Sequence, residues 1–284
     1  MTLPRAVAII GAGTMGAGIA RIFAGGGASV RLMARREASR DSARERLGET
    51  DMRLTTSLDE ALTGADLVIE TIVEQVEPKR EVLTRAEELA APEALVTTNT
   101  SSLPLAAFEG ALSRPERFAG LHFLNPPELV EVVEIVGGED TAPKTLETLA
   151  GWMEELGKAP VVVRRDIPGF VVNRLQYALL REAYSLVDSG VCSFADVDRA
   201  VTYGLGARWA AIGPFETMDL AGLDVHAAVA ANLWPELANT AEPSATIAKT
   251  LERGGSLRGE TDPDVLKARR DRVLRGLKAL REDV

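Results

Sequence analysis

The first 165 residues alternate short apolar runs with longer segments in which apolar residues recur at helical spacing. Short runs bounded by turn residues are typical of buried strands, and strands that alternate with helices predict a parallel sheet covered by helices. The predicted strands are residues 6–10, 29–33, 51–56, 66–70, 94–98, 118–122, 130–136 and 160–164. The predicted helices are residues 14–24, 37–47, a short one from 57, 78–90 and 141–156.

The pattern changes near Asp166, where strand signals stop and helical periodicity continues to the end of the chain. The helices predicted there are residues 170–189, 194–203, 214–231, 244–252 and 264–282. We therefore predict two domains, an α/β domain over residues 1–165 and an all-α domain over residues 166–284.

A glycine-rich turn follows the first predicted strand. Gly11, Gly13 and Gly16 stand in G-x-G-x-x-G spacing, and a helix pattern begins at Thr14 and Met15. The first glycine permits a sharp turn, the second lets a pyrophosphate approach the backbone, and the third lets the helix pack against the strand. Because the motif lies between a strand and a helix, it indicates a dinucleotide site in a Rossmann-type, doubly wound sheet. A plain glycine-rich turn is the alternative.

The end of the second predicted strand bears on the choice of nucleotide. Folds of this kind that select NAD place an acidic residue there, about 20 residues past the glycines. Here the strand is followed by Ala34, Arg35 and Arg36. Alanine removes the carboxylate that would repel a 2′-phosphate, and two guanidinium groups can bind one. We expect NAD or NADP, with NADP favoured; the alternative is that these arginines only begin an exposed helix.

Composition excludes several classes of partner. A formal net charge of −10 and a pI near 5.0 argue against nucleic acid and against an anionic membrane surface. No stretch approaches the roughly 20 apolar residues of a membrane helix. The single cysteine, Cys192, allows no internal disulfide, which fits a cytoplasmic protein. Two histidines and one cysteine form no cluster in the sequence, so we expect no metal site.

His122 is the candidate general base. It ends a predicted strand and precedes a turn that sends the chain back, so Glu134 can lie on a neighbouring strand beside it. A carboxylate bonded to one ring nitrogen fixes the tautomer and leaves the other nitrogen free to take a proton, as oxidation of an alcohol requires. Ser101 and Asn173 would add hydrogen bonds to the developing carbonyl oxygen. The other histidine, His226, lies in a helical pattern of Ala and Val and is interpreted as structural.

Several segments, in this order and spacing, resemble the 3-hydroxyacyl-CoA dehydrogenase family: GAGTMGAGIA, TNTSSLPL, RFAGLHFLNPPELVEVVEIV, DIPGFVVNRL and residues 204–224. The resemblance covers most of the chain and is strongest over residues 6–174. It implies transfer of a hydride between the 3-hydroxyl of a 3-hydroxyacyl-CoA and NAD(P), a place in fatty acid metabolism, and a homodimer formed through the C-terminal domain.

The resemblance also assigns roles to individual residues. His122 matches the catalytic histidine of the family, Glu134 its partner acid, and Ser101 the serine that binds the substrate hydroxyl. Asn173 matches the asparagine that opens the first helix of the second domain. The positions that match cofactor contacts are Glu74 and Lys79, on the nicotinamide side, and Asn99.

The sequence departs from the family pattern in three places. Ala34 stands where NAD-using members carry aspartate. The long helical hairpin that follows the second strand in members, and that helps to hold the CoA nucleotide, is shortened to about residues 37–48. The glycine-rich, aromatic ending of many members is replaced by residues 254–260. A smaller free 3-hydroxy acid or hydroxymethyl substrate therefore competes with the CoA thioester. A non-catalytic dinucleotide-binding protein is the alternative from another class.

Overall fold

A computed structural model describes residues 2–254, 256–257 and 262–282. The chain divides into two compact units, Met1–Val172 and Asn173–Val284. Most of the ending at residues 254–260 lies outside the described residues. Among the helices that are described, none has the combined length and apolar character needed to cross a bilayer.

The first unit is built on one eight-stranded sheet with the strand order β3-β2-β1-β4-β5-β6-β7-β8. This order, with parallel pairing from β3 through β6, confirms the predicted doubly wound sheet. The strands are β1 (Ala6–Ile10), β2 (Ser29–Met33), β3 (Arg53–Thr55), β4 (Leu67–Glu70), β5 (Leu95–Thr98), β6 (Phe118–Phe123), β7 (Val132–Val136) and β8 (Ala159–Val163).

The sheet contains one departure from the expected parallel arrangement, because β7 runs antiparallel to β6. The connection between them, residues 124–131, holds no helix, so the chain returns directly beside the strand it has just left. The peptide bond between Asn125 and Pro126 in this connection is cis.

Helices cover both faces of the sheet. They are α1 (Thr14–Gly25), α2 (Glu37–Leu47), α3 (Leu58–Leu62), α4 (Val76–Leu89), α5 (Ala106–Glu109) and α6 (Pro143–Glu155). Successive side chains of a strand point to opposite faces, so β1 contributes Ile9 to one apolar cluster and Ile10 to the other. Ile9 packs with Phe23 of α1, and Ile10 packs with Leu83 of α4. The short helix α5 was not predicted.

The second unit is helical, as predicted. Its helices are α7 (Val172–Asp188, which begins at the last residue of the first unit), α8 (Phe194–Arg199), α9 (Gly206–Trp209), α10 (Pro214–Ala221), α11 (Leu223–Leu233), α12 (Ala245–Glu252) and α13 (Pro263–Glu282). The single helix predicted over residues 214–231 is wrong: Gly222 adopts φ +93° and divides it into α10 and α11. The helix predicted over residues 194–203 ends at Arg199 and continues as a π-helical segment, Ala200–Leu205.

Candidate active site

The glycine turn lies at the carboxyl end of β1. Gly11 has φ +118°, and a Cβ there would lie 2.7 Å from the carbonyl oxygen of Thr71. A Cβ on Gly16 would lie 1.7 Å from the carbonyl oxygen of Gly11, so helix and turn approach each other as only glycine allows. Thr71, which follows β4, supports the turn from the other side: its amide donates to Ile10 O at 2.8 Å and its Oγ1 donates to Gly11 O at 3.3 Å.

The backbone beside Gly13 is open, as the approach of a pyrophosphate requires. A Cβ added to Gly13 would meet no atom within 4 Å, so the backbone there borders an open cradle. Gly13 caps α1 without a side-chain hydrogen bond, and the helix begins with Thr14 and Met15. The first amides of α1 are therefore not capped by the side chain of the N-cap residue, and they can donate to a pyrophosphate.

The end of β2 carries no acid. Ala34 is buried, and its amide donates to Thr55 O at 2.9 Å, which fixes the position of the residues that follow. Arg35 and Arg36 are exposed just before α2. In the described part of the chain, neither guanidinium group is paired with a carboxylate.

The structure brings His122, Glu134 and Ser101 together. Antiparallel pairing of β6 with β7 sets His122 directly opposite Glu134, and its Nδ1 lies 2.8 Å from Glu134 Oε2. Nε2 of His122 lies 3.1 Å from Ser101 Oγ, in the turn that follows β5. Both residues of this hydrogen-bonded pair are nearly inaccessible, with exposures of 4% for His122 and 0% for Glu134.

The carboxylate of Glu134 is held ionised by its donors. Burial works to raise the pKa of this group, but the hydrogen bonds from His122 and from the amides of Val172 and Val171 outweigh it and lower the pKa below its usual value. The two amides donate to Oε1 at 2.9 and 2.7 Å, while Oε2 faces the imidazole. Since an ionised carboxylate only accepts hydrogen bonds, Nδ1 carries a proton, and in the neutral imidazole Nε2 is then the nitrogen with the free lone pair.

Glu74 holds the turn that carries Ser101. Its Oε1 accepts four hydrogen bonds from this turn: from Thr100 Oγ1 at 2.6 Å, the Ser101 amide at 2.9 Å, the Ser102 amide at 3.0 Å and Ser102 Oγ at 3.0 Å. Burial opposes ionisation here too, yet these donors and the charge of Lys79 lower the pKa of Glu74 to about 2. Glu74 is therefore a clamp on the serine turn in this arrangement.

Lys79 lies beneath this clamp rather than on the surface of the cleft. It is 1% exposed, and its Nζ lies 2.8 and 3.0 Å from the two carboxylate oxygens of Glu70 and 3.2 Å from Glu74. Asn99 has a similar supporting contact, because its Oδ1 accepts from the amide of Phe123, next to His122, at 2.8 Å. The sequence predicted all three of Glu74, Lys79 and Asn99 as cofactor contacts; the contacts described here are internal.

Sequence reasoning missed several residues of this network. Glu70 is the buried end of β4 and accepts from Thr98 Oγ1 at 2.6 Å as well as from Lys79. Phe170 packs against the imidazole of His122. A carboxylate at the end of an apolar strand was the only signal that could have pointed to Glu70.

Asn173 lies in the first turn of α7, in the second unit. In the described part of the chain, no group of three or more His, Cys, Asp or Glu side chains could hold a metal ion.

Two family models match adjoining parts of the chain. Residues 6–167 match the NAD binding domain of 3-hydroxyacyl-CoA dehydrogenase, and residues 169–267 match its C-terminal domain. The fold and these matches define an NAD-dependent oxidoreductase that acts on hydroxyl groups. More particularly, because the two models together span most of its length, the chain belongs to the 3-hydroxyacyl-CoA dehydrogenase family.

Individual relatives have different substrates in their names. A 5-formyl-3-hydroxy-2-methylpyridine 4-carboxylate 5-dehydrogenase of Mesorhizobium japonicum is 38% identical over 252 residues, which cover 83% of this chain and 82% of that protein. The mitochondrial hydroxyacyl-coenzyme A dehydrogenase of Sus scrofa is 38% identical over 247 residues, 78% of this chain and 77% of that one. Among crystal structures, a 5-formyl-3-hydroxy-2-methylpyridine 4-carboxylic acid 5-dehydrogenase, described as an NAD+ dependent dismutase, matches with a TM-score of 0.89 and 34% identity, covering 99% of this chain and 98% of that one.

The clamp generates the first prediction. Glu74→Gln keeps the shape of the side chain, but its one remaining oxygen is an uncharged and weaker acceptor for the four donors of the turn, and its amide nitrogen faces Lys79 with a donor. We expect kcat to fall roughly tenfold, because the weakened clamp no longer fixes Ser101 beside His122, while the KM for the nucleotide stays unchanged. Initial rates at varied nucleotide concentration measure both parameters.

Glu77→Gln is the matched control, since Glu77 is exposed on the first turn of α4 and lies three residues further along. It should leave both parameters unchanged. A higher KM for the nucleotide at unchanged kcat in Glu74→Gln would instead make Glu74 a direct cofactor contact.

Proposed function

We propose that this chain oxidises the hydroxyl group of a small, free hydroxy acid or hydroxymethyl carboxylate, with NAD(P) as hydride acceptor and His122 as general base. The observation that carries the proposal is the pair of contacts on one imidazole. Nδ1 lies 2.8 Å from the ionised Glu134, and Nε2 lies 3.1 Å from Ser101 Oγ at the carboxyl edge of the parallel sheet.

The proton path follows from these two contacts. The neutral imidazole donates Nδ1–H to Glu134, so Nε2 presents a lone pair toward the position of Ser101. A substrate hydroxyl bound beside Ser101 loses its proton to Nε2, and the resulting imidazolium is stabilised by the negative charge of Glu134. Ser101 Oγ donates to the oxygen that becomes the carbonyl. Asn173 is proposed as a second donor to that oxygen.

The residues that would hold the nucleotide are those of the cradle. The amides at the start of α1, next to Gly13, would bind the pyrophosphate, while Gly11 and Gly16 give the turn its shape. When bound there, NAD(P) would supply the acceptor for the hydride of the carbon that bears the hydroxyl. The chain itself supplies the base and the orientation of the hydroxyl.

The size of the substrate is inferred from the segment between β2 and β3. That segment holds one helix, α2, of 11 residues, where the family resemblance predicts a long hairpin that grips the CoA nucleotide. The solved structure that matches over 99% of this chain is named for a pyridine carboxylate of small size. Both observations support a free acid, because a free acid carries no CoA nucleotide that the protein would have to bind.

A 3-hydroxyacyl-CoA is the second candidate. It is favoured by the 38% identity to a hydroxyacyl-coenzyme A dehydrogenase over 78% of this chain. The same base and serine would serve either substrate. The two candidates therefore differ in whether the acid carries a CoA group, and not in the reaction at the hydroxyl.

Preference for NADP over NAD is part of the proposal. Ala34 leaves the end of β2 without a carboxylate, and the exposed Arg35 and Arg36 supply two positive charges next to it. Guanidinium groups bind phosphate in a bidentate geometry, which would favour a nucleotide with a 2′-phosphate.

We also propose that two copies of the chain associate through the second unit. None of its described residues is buried, although many are large and apolar. On α10 and α11 these include Phe215 at 84% exposure, Leu220 at 79% and Leu223 at 62%. Such a surface is typical of an interface, and a second copy buries it by symmetry.

The general base is tested with His122→Gln, which can still donate to Glu134 but cannot take a proton. We expect turnover to fall at least roughly 100-fold, because proton removal loses its base, while nucleotide binding is retained. The assay follows nicotinamide absorbance with a panel of free hydroxy acids, hydroxymethyl carboxylates and 3-hydroxyacyl-CoAs. Faster turnover of free acids supports the first candidate, and faster turnover of thioesters supports the second.

His226→Gln is the control, because it is the only other histidine and lies on α11. Wild-type rates in His122→Gln would overturn the assignment of the base. Tight nucleotide binding without turnover of any substrate would favour a non-catalytic binding protein.

The nucleotide preference is tested with the double variant Arg35→Asp, Arg36→Ala. We expect the affinity for NADPH relative to NADH to fall roughly 10- to 100-fold, since charge-assisted hydrogen bonds to the 2′-phosphate are lost. Fluorescence titration with both nucleotides gives the ratio. Arg44→Ala, further along α2, is the control. An unchanged ratio of NADPH to NADH affinity in the double variant means that Arg35 and Arg36 do not bind the 2′-phosphate.

The dimer is tested by sedimentation equilibrium, in which the wild-type chain should show twice its 30.4 kDa mass. Leu220→Glu should shift this equilibrium toward the monomer, because it places a charge in the proposed apolar interface. Lys144→Glu, an exposed position on α6 of the first unit, introduces the same acidic residue and should leave the dimer intact. A wild-type monomer at assay concentration contradicts this part of the proposal.

A further inference from the structure

Phe170 has an unusual backbone. Its φ is +48°, and in the described part of the chain it is the only residue other than glycine with a positive φ. The residue before it, Gly169, also has a positive φ, of 78°. A bulky residue in the left-handed region is sterically unfavourable, and glycine would adopt the same turn without that cost. A phenylalanine here indicates that the ring is needed.

The ring lies against the imidazole of the proposed base. Its centroid is 5.4 Å from that of His122, and the two ring planes meet at 63°, which is an edge-to-face contact. Phe170 is 2% exposed and belongs to the apolar cluster that contains Phe108 and Val136. The ring is therefore fixed on one side by the core and borders the imidazole on the other.

The backbone of the same turn serves the partner carboxylate. The amide of Phe170 donates to Ile167 O at 3.0 Å, which closes the turn. The next two amides, those of Val171 and Val172, then donate to Glu134 Oε1. One residue thus links the orientation of the imidazole to the hydrogen bonds that keep its carboxylate ionised.

We propose that Phe170 is a positioning residue for His122: its ring confines the imidazole to the orientation in which Nδ1 faces Glu134 and Nε2 faces Ser101. Without the ring, the imidazole gains room to rotate and water gains access to the buried pair. Both changes populate the other tautomer, in which Nε2 carries the proton and cannot act as a base. This inference rests on the proposed function of His122 as general base.

The simpler interpretation is that Phe170 only fills space in the core. Leucine has a comparable apolar volume, so a filler tolerates Phe170→Leu with a loss of stability but no change at the imidazole. A positioning ring does not tolerate it, because leucine lacks the flat surface that borders His122. The two interpretations therefore differ in the tautomer of His122 and not in thermal stability.

The tautomer can be read directly by 15N NMR of histidine-labelled protein. The chain has only two histidines, and His226→Gln removes the signal of the other one. In that background we expect His122 to have Nδ1 protonated and Nε2 bare. Phe170→Leu should raise the population of the Nε2-protonated form and lower kcat roughly tenfold, with the KM for the nucleotide unchanged.

Phe170→Gly separates the ring from the backbone, since glycine relieves the left-handed conformation but removes the ring. It should show the same change of tautomer as Phe170→Leu. Phe170→Tyr keeps the ring and should restore the wild-type tautomer and most of kcat. Phe108→Leu is the matched control: a fully buried phenylalanine of the same cluster whose ring contacts Phe118, it should lose stability without any change at His122.

Three results would overturn the proposal. They are a wild-type tautomer and kcat in Phe170→Leu, the same change of tautomer in Phe108→Leu, and a failure of Phe170→Tyr to restore what Phe170→Leu loses. If Phe170→Leu does not fold, Phe170→Met takes its place, because methionine also keeps apolar volume without a ring and adapts to irregular core sites. The NMR measurement needs no turnover, so it is independent of whether His122 proves to be the general base.

Discussion

The antiparallel register between β6 and β7 is the constraint on which the site depends. It sets His122 opposite Glu134 in a sheet whose other pairs are parallel, and it does so next to the carboxyl ends of β4 and β5. Because side chains alternate between faces, a slip of one residue would move the carboxylate to the other side of the sheet. The pairing of backbones therefore decides which two side chains share a proton.

A buried carboxylate is stable only when its oxygens are satisfied, and this requirement ties the site to the chain beyond the sheet. Glu134 receives one donor from the imidazole and two from the amides at residues 171–172. The segment that leaves the first unit is thus fixed by the same charge that orients His122. The position of this segment and the orientation of the imidazole therefore depend on the same carboxylate.

Most strands and helices could be predicted from the sequence, and each feature that the sequence did not predict has a physical reason. The glycine turn and the alternation of strands and helices carry local signals, so β1 and β2 could be predicted to the residue and α1 to within one residue. The break at Gly222 was missed because helical periodicity continues on both sides of it. The contacts of Glu74 join residues 26 to 28 positions apart, and no local pattern reports such a distance. The conformation of Phe170 is likewise invisible in a sequence.

Glu70 and Glu134 show why equal burial does not give equal roles. Both carboxylates are inaccessible to solvent, and each ends or lies within a strand of the same sheet. Glu70 faces the ammonium group of Lys79, which has three donors and no acceptor and also reaches Glu74, so this pair braces the serine turn. Glu134 faces an imidazole, the side chain whose charge changes near neutral pH. Its negative charge therefore gains a partner when the imidazole takes a proton, and the partner of each carboxylate decides which one braces the turn and which one suits the proposed proton transfer.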